Sequence, residues 1–221
     1  MDFEKPMDEY LKGYVDKYDK WRKTGSFTTS SRVYPVCESF KPEQWVMPSD
    51  QVLTILKESR SFALIDCLCR IHYNRCDKPR DVCLLIDDLA DKMVSLGKAK
   101  YLTLYEASER LKEVDKHGLI HMALFMPGHK IYALCSCCAC CCHDLQLVIN
   151  YNRTDLIARS DYVAETDSGL CTSCGDCIVR CVFNARKITD NTLLYQSDRC
   201  LGCGLCVSVC PTQATVMRKR I

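Results

Sequence analysis

The sequence lacks a long apolar run, an excess of either charge, and any nucleotide-binding signature. No stretch of its 221 residues approaches the roughly 18 consecutive apolar residues that a membrane-spanning helix needs. The opening MDFEKPMDEY is acidic and polar, so it does not read as a secretory signal, and a cytoplasmic location is expected. Lysine and arginine number 30 against 28 aspartates and glutamates. That balance gives no electrostatic footprint for nucleic acid, and the single basic cluster, RKRI, reads as a solvated tail. No G-x-G-x-x-G opens a helix after a strand, and no G-x-x-x-x-G-K-[ST] occurs. Neither a dinucleotide site nor ATP-driven electron transfer is signalled.

What the chain has in abundance is cysteine, 19 in all. A short secreted chain of that density would carry a disulfide framework. Here the chain is long and unsignalled and the count is odd, so reduced thiolates binding metal in a reducing, anaerobic cytosol are expected. The densest stretch is CSCCACCC, which places Cys135, Cys137, Cys138, Cys140, Cys141 and Cys142 within eight residues. Disulfides suit it poorly, because neighbouring side chains on an extended strand point to opposite faces.

Near the end of the chain one unit occurs twice. CTSCGDCIVRCVFNARKI from Cys171 and CLGCGLCVSVCPTQATVM from Cys200 both read C-x-x-C-G-x-C-x-x-x-C-x-x-x-A. Three cysteines at intervals of three wrap a tight loop around a cubane, and Gly175 and Gly204 let the backbone pass close by. The fourth cysteine lies beyond the loop and completes the other repeat's cluster. One cluster is thus expected on Cys171, Cys174, Cys177 and Cys210, the second on Cys200, Cys203, Cys206 and Cys181. A structural zinc site has no use for eight cysteines in this interleaved order.

Residues from about Tyr162 to Met217 resemble a bacterial-type two-[4Fe-4S] ferredoxin domain. The resemblance implies low-potential electron transfer without substrate chemistry, on a ββα-repeat fold. Pro211 follows Cys210 as the family pattern has it, whereas Val182 stands after Cys181. DYVAET and ATVMR are expected to form outer strands, and ARKITDNTLLY a hairpin turning at Asp190-Asn191.

The rest of the chain reads as an α/β, or α+β, cysteine-rich domain over residues 46–160, after a helical arm and linker over 1–45. The two-cluster domain takes 161–221. In the arm, Tyr10, Tyr14, Tyr18 and Trp21 form an aromatic stripe that packs on the protein's own body or, alternatively, on a partner; TGSFTTSSR reads as a polar linker. Ser49 is a candidate N-cap for a helix in SDQVLTILKESR. SFALIDCLCR and HKIYALCSC are expected strands, each delivering a C-x-C at its tip, where ligands collect in α/β layers. Val82, Leu85, Ile86, Leu89, Ala90 and Met93 have helical spacing, and Thr103 with Glu106 fits a capping box for a helix closing near Gly118.

Cys67, Cys69, Cys76 and Cys83 supply the four thiolates of one cubane. Cys83 is expected in the first helical turn, where the helix end and Arg70 favour an anionic cluster. An extended tract would aim Cys135, Cys137 and Cys141 one way and Cys138, Cys140 and Cys142 the other. It either holds its own cluster while lending a ligand to the Cys67 set, or binds a larger or non-cubane iron–sulfur assembly, or is a loosely ordered thiol-rich loop with some cysteines uncoordinated. The pattern CLCR…C…C with CSCCACCC downstream also resembles the N-terminal part of multicluster iron–sulfur proteins of anaerobes. His143 and His72 read as neighbours hydrogen-bonded to a cluster's ligands, or as surface residues, rather than as ligands themselves. His121 and His129 flank a buried segment and a turn, and Cys37 reads as a lone buried thiol.

The expectation is a multicluster iron–sulfur electron-transfer protein or subunit with a redox partner, more a carrier than a catalyst. It holds two [4Fe-4S] clusters in the C-terminal domain and one or two iron–sulfur clusters in the N-terminal one. Neither nucleic acid nor a membrane span is expected, and a homo-oligomer is compatible with it. The alternative is a redox enzyme whose active-site cluster sits in the Cys135–Cys142 tract and is fed by the ferredoxin domain. Metal storage fits the ordered repeat poorly.

Overall fold

The structure, a computed structural model, describes residues 6–25, 31–34, 55–126 and 130–220. The chain divides into two compact units. One takes in Met1–Arg32, Ser61–Leu102 and Met122–Ala158, the other Val33–Arg60, Thr103–His121 and Arg159–Ile221. Ser49, Cys37, His129 and linker residues 26–30 lie outside the described residues.

Seven strands build the larger sheet: β1 (Ser31–Tyr34), β2 (Phe62–Asp66), β3 (Asp81–Ile86), β4 (Lys100–Tyr101), β5 (Ile120–Met126), β6 (Lys130–Cys137) and β7 (Ile157–Ala158). Their order is β4-β2-β3-β6-β5-β1-β7. Strand β2 pairs antiparallel with β3 and with β4, β3 pairs antiparallel with β6, and β1 runs parallel to β7. The fold class is therefore mixed α and β with mostly antiparallel pairing. The end of the polar linker is not loop, since Ser31 and Arg32 belong to β1.

Val82, Leu85 and Ile86 belong to a strand, and the helix α3 (Asp88–Ser95) begins only after Asp87, whose φ is +52°. Both edges of β3 are paired, with β2 and β6, and the run VCLLI is buried at every position, so side chains on both of its faces are covered. A short run that is apolar on every side fits both periodicities, and here tertiary burial decides in favour of the strand. Cys83 thus lies mid-strand, opposite Ile65 of β2 and Cys135 of β6, not at a helix end. The first C-x-C is likewise not strand: β2 ends at Asp66, Cys67 is an N-cap, and Cys69 lies inside helix α2 (Leu68–Tyr73).

Helix α1 (Glu9–Lys23) starts where the Asp8 carboxylate accepts the Leu11 N–H at 2.9 Å. Its aromatic stripe faces the same unit. Leu11 and Tyr18 are buried against Leu147 and Leu156, with Tyr14 and Trp21 around them. Leu147 comes from α5 (His143–Tyr151), which follows the cysteine tract directly.

In the second unit α4 (Leu104–Lys116) opens with the reciprocal Thr103–Glu106 capping box. It ends before Gly118 at φ +64°, where an added Cβ would meet the Arg180 guanidinium. Strand β8 (Tyr162–Thr166) pairs antiparallel with β11 (Thr215–Lys219). Strands β9 (Arg186–Thr189) and β10 (Thr192–Tyr195) form the hairpin. Asp190 and Asn191 both take positive φ, +50° and +57°, as a two-residue hairpin of matched twist requires. The helices α6 (Asp176–Arg180) and α7 (Leu205–Ser208) occupy equivalent places in the two repeats. No described helix is long and apolar enough to cross a membrane.

Candidate metal centres

The eight repeat cysteines gather in two groups. Cys171, Cys174, Cys177 and Cys210 line one small cavity with Thr212 and Thr215, and Cys181, Cys200, Cys203 and Cys206 line another. Each group takes three cysteines from one loop and the fourth from the other repeat. Gly175 and Gly204 stand at the N-caps of α6 and α7 with φ of +88° and +78°, a backbone state that an L side chain resists. Four thiols around each void, in a chain with no disulfide among its described cysteines, is the donor set a [4Fe-4S] cluster takes.

Arg186 is buried, and its guanidinium donates to Cys177 Sγ at 3.8 Å and to Thr166 Oγ1 at 2.8 Å. Burial pushes the Cys206 thiol up to about 12, with the charge of Arg186 opposing it. Nothing in the C-x-x-C spacing signals Arg186, which reaches the thiols only because the hairpin folds back over the loops.

The ten described N-terminal cysteines are arranged differently. Strand β6 carries Cys135 and Cys137, then the chain turns. The Cys138 carbonyl accepts from the N–H groups of Cys141 and Cys142 at 3.3 and 2.9 Å, and α5 begins at His143. This turn overrides the alternation of an extended run. Cys138, Cys140 and Cys141 meet Cys76, and these four sulfurs all lie within 4.8 Å of one another. Cys142 instead joins Cys135 and Cys137.

Those three meet Cys67, Cys69 and Cys83. Cys67 interacts electrostatically with Cys69 and Cys83, Cys69 with Cys142, Cys142 with Cys137, and Cys83 with Cys135. These six thiols, with Cys138 beside them, line a cavity of about 280 Å³ together with Leu85, Leu89, Met93, Leu124 and Tyr132. The expected Cys67–Cys69–Cys76–Cys83 grouping is therefore divided: Cys76 stands with the tract's turn, and the other three stand with Cys135, Cys137 and Cys142.

Electrostatics in this cavity favour few anions without a cation. Hydrogen bonds from Cys69 and Cys83 hold the Cys67 thiol far below its ordinary range. Cys69, Cys83 and Cys142 are pushed up, first by their thiol neighbours and then by burial. Ionising all six in this buried set needs bound positive charge.

Arg70 stands between the two thiol groups and is almost wholly buried. Its Nε donates to Cys138 Sγ at 3.4 Å, one terminal nitrogen to the Ser136 carbonyl at 2.6 Å, and the other to the Pro79 carbonyl. His143 is buried too. Its Nδ1 lies 3.2 Å from Cys69 Sγ and its Nε2 2.9 Å from the Tyr18 hydroxyl, while its ring stacks on Tyr14 at 3.5 Å. Burial lowers the His143 pKa, so the ring is neutral near pH 7. A neutral ring that donates from Nδ1 to Cys69 accepts at Nε2 from Tyr18. His143 thus orients a thiol, whereas exposed His72 stacks on Tyr10 at 3.9 Å. His121 is buried in β5, and burial alone lowers it to about 3.

Comparison with known proteins gives this arrangement its context. Residues 170–214 match the 4Fe-4S dicluster domain family. The chain is similar to a tetrathionate reductase subunit of Archaeoglobus fulgidus, 32% identical over 87 residues, covering 37% of this chain and 42% of that protein. It is also similar to the archaeal-type glutamate synthase [NADPH] of Thermotoga maritima, 31% identical over 61 residues, covering 27% and 12% of the two chains. The chain thus spans less than half the length of either relative. With the repeat's thiols grouped as they are, these likenesses identify the C-terminal segment as a 4Fe-4S dicluster domain in a chain that carries multiple [4Fe-4S] clusters.

Proposed function

We propose that the protein is a multicluster iron–sulfur electron-transfer subunit, passing low-potential single electrons to or from an oxidoreductase partner in a reducing cytosol. The observation that carries this reading is the interleaved grouping of the eight repeat thiols around two separate cavities. In it, Cys171, Cys174, Cys177 and Cys210 hold one [4Fe-4S] cluster, and Cys181, Cys200, Cys203 and Cys206 the other. Cys67, Cys69, Cys83, Cys135, Cys137 and Cys142 hold a further iron–sulfur group in the 280 Å³ cavity. Bound there, such groups supply one-electron exchange, with potentials set by hydrogen bonds, charge and burial.

The chain's own residues do the tuning. Arg186 beside Cys177 and Arg70 near Cys67 and Cys137 place fixed positive charge near thiolates, and positive charge favours the more anionic, reduced state. His143 donates to Cys69, which lowers the electron density on that sulfur and acts in the same direction. The likeness to a tetrathionate reductase subunit supports a partner-bound role over a freely shared carrier.

Anaerobic purification followed by iron and sulfide counts, and stepwise reduction monitored by EPR, tests the reading. Expected are two reduced-cubane signals from the repeat plus a further iron–sulfur species, with reversible one-electron exchange with a low-potential viologen. Absence of reversible low-potential reduction, with the clusters present, would overturn it. A further species whose spectrum changes when small disulfides or oxyanions are added would favour the enzyme alternative, for which the apolar wall of the same cavity provides room.

A further inference from the structure

Cys76 comes from the loop between α2 and β3, and Cys138, Cys140 and Cys141 from the turn after β6. Cys76 Sγ stands 3.9 Å from Cys138 Sγ and 4.0 Å from Cys141 Sγ, and all four sulfurs fall within 4.8 Å of one another. That spacing has a chemical meaning. One tetrahedral cation with metal–sulfur bonds of about 2.3 Å holds its thiolates about 3.8 Å apart. A cubane puts four irons and four sulfides between its thiolates and spreads them on the order of 6 Å apart. The molecule contains its own contrast: among the described residues, neither set of repeat cysteines forms a group this tight. We propose that Cys76, Cys138, Cys140 and Cys141 bind a single thiophilic divalent cation, zinc or iron, in a mononuclear tetrahedral site separate from the clusters.

The surroundings are built for such a site. The hydrogen bonds from Cys141 and Cys142 to the Cys138 carbonyl fold three of the four ligands into one tight turn. Arg75 donates to the Cys140 carbonyl at 3.3 Å and to Gln146 Oε1 at 2.7 Å. Gln146 in turn donates to the Cys141 carbonyl at 3.2 Å, so the turn's outward carbonyls are held in place. Four thiolates on a divalent cation carry a net charge of −2, and the guanidinium groups of Arg70 and Arg75 stand beside them. With all four positions filled by protein, the site has no open coordination position. Its role is then to fasten the loop to the turn or, with iron, to exchange one electron. The inference goes beyond the electron-transfer reading and does not depend on it.

The full chain, expressed and purified without oxygen, is weighed intact by native mass spectrometry, with zinc, iron and labile sulfide counted in parallel. Expected is one cation per chain without accompanying sulfide, beyond the whole iron–sulfur groups. X-ray absorption at the edge of that metal distinguishes the arms. Zinc would show four sulfurs at about 2.3 Å and no nearby metal; for iron, Mössbauer spectra would show an isolated tetrathiolate component. The double variant Cys76→Ser/Cys140→Ser should lose that one cation while keeping the EPR signals of the repeat. Loss of about four irons and four sulfides in the variant would place a cubane there and overturn the proposal. So would a wild-type mass made up wholly of iron–sulfur groups. The wild-type measurements decide the matter even if the variant fails to fold.

Discussion

The two cysteine-rich regions of this chain gather thiols by opposite means. In the C-terminal repeat three thiols of each group come from a single loop, Cys171 to Cys177 or Cys200 to Cys206, and only the fourth crosses over. In the N-terminal region a helix cap, a helix, a mid-strand position, a strand end and a turn each contribute. Cys83 meets Cys135 only because β3 pairs with β6, 52 positions later by number, in one register. The first arrangement is written in local spacing; the second exists only once the sheet has formed. The comparison teaches that thiol density says metal, whereas the number and shape of sites depend on how far apart in sequence the donors lie.

The largest effect that would break this comparison comes from the repeat. Cys203→Ser should remove about four irons, one whole cluster, while leaving the N-terminal metal in place. Iron counts with EPR of the remaining species check it, and loss of all metal would show the regions to be interdependent. Next is the sheet that assembles the N-terminal groups. Leu134 of β6, opposite Leu84 of β3, is fully buried, and Leu134→Ala should cost about 3 kcal/mol. Denaturant titration measures that cost. The N-terminal metal should be lost at lower denaturant than the repeat's clusters.

A finer probe is His143→Phe, which removes the buried donor beside Cys69 of the six-thiol set. A charge-assisted hydrogen bond of about 1.5–3 kcal/mol corresponds to roughly 60–120 mV for one electron. The N-terminal cluster's potential should fall by that order, with the repeat's signals unmoved in the same redox titration. The smallest effect lies away from every thiol. Thr103→Ala deletes the capping box of α4 and should cost about 1 kcal/mol by thermal unfolding, with metal content unchanged.

Much of the second unit was legible beforehand, because its signals act within a few residues. The capping box needs only Thr103 and Glu106, and the hairpin only a residue pair that tolerates positive φ. The repeat's spacing likewise places three thiols together without reference to anything distant. The N-terminal region was legible as metal-binding but not as a map. Alternation along CSCCACCC pairs Cys141 with Cys135 and Cys137, yet the turn at Cys138 exchanges the places of Cys141 and Cys142. Cys83 has helical neighbours by spacing and strand neighbours in fact, since burial on two faces leaves no polar stripe to distinguish the two. Arg70 gave a partial signal, an arginine directly after a C-x-C, although its three simultaneous partners emerge only from the folded loop. His143 showed nothing beyond its adjacency to the tract.

The meeting of Cys76 with Cys138 joins points 62 positions apart in the chain. For a polymer, a tie of that span is a restriction on the unfolded ensemble as much as a contact in the folded one. By the loop-closure relation, a permanent link there is worth about 4 kcal/mol. A cation shared by these thiols would therefore act as a removable knot, and chelation would lengthen the free chain without breaking a covalent bond. Stability of the cysteine-rich sheet would then follow the supply of metal, whatever the redox state of the clusters beside it.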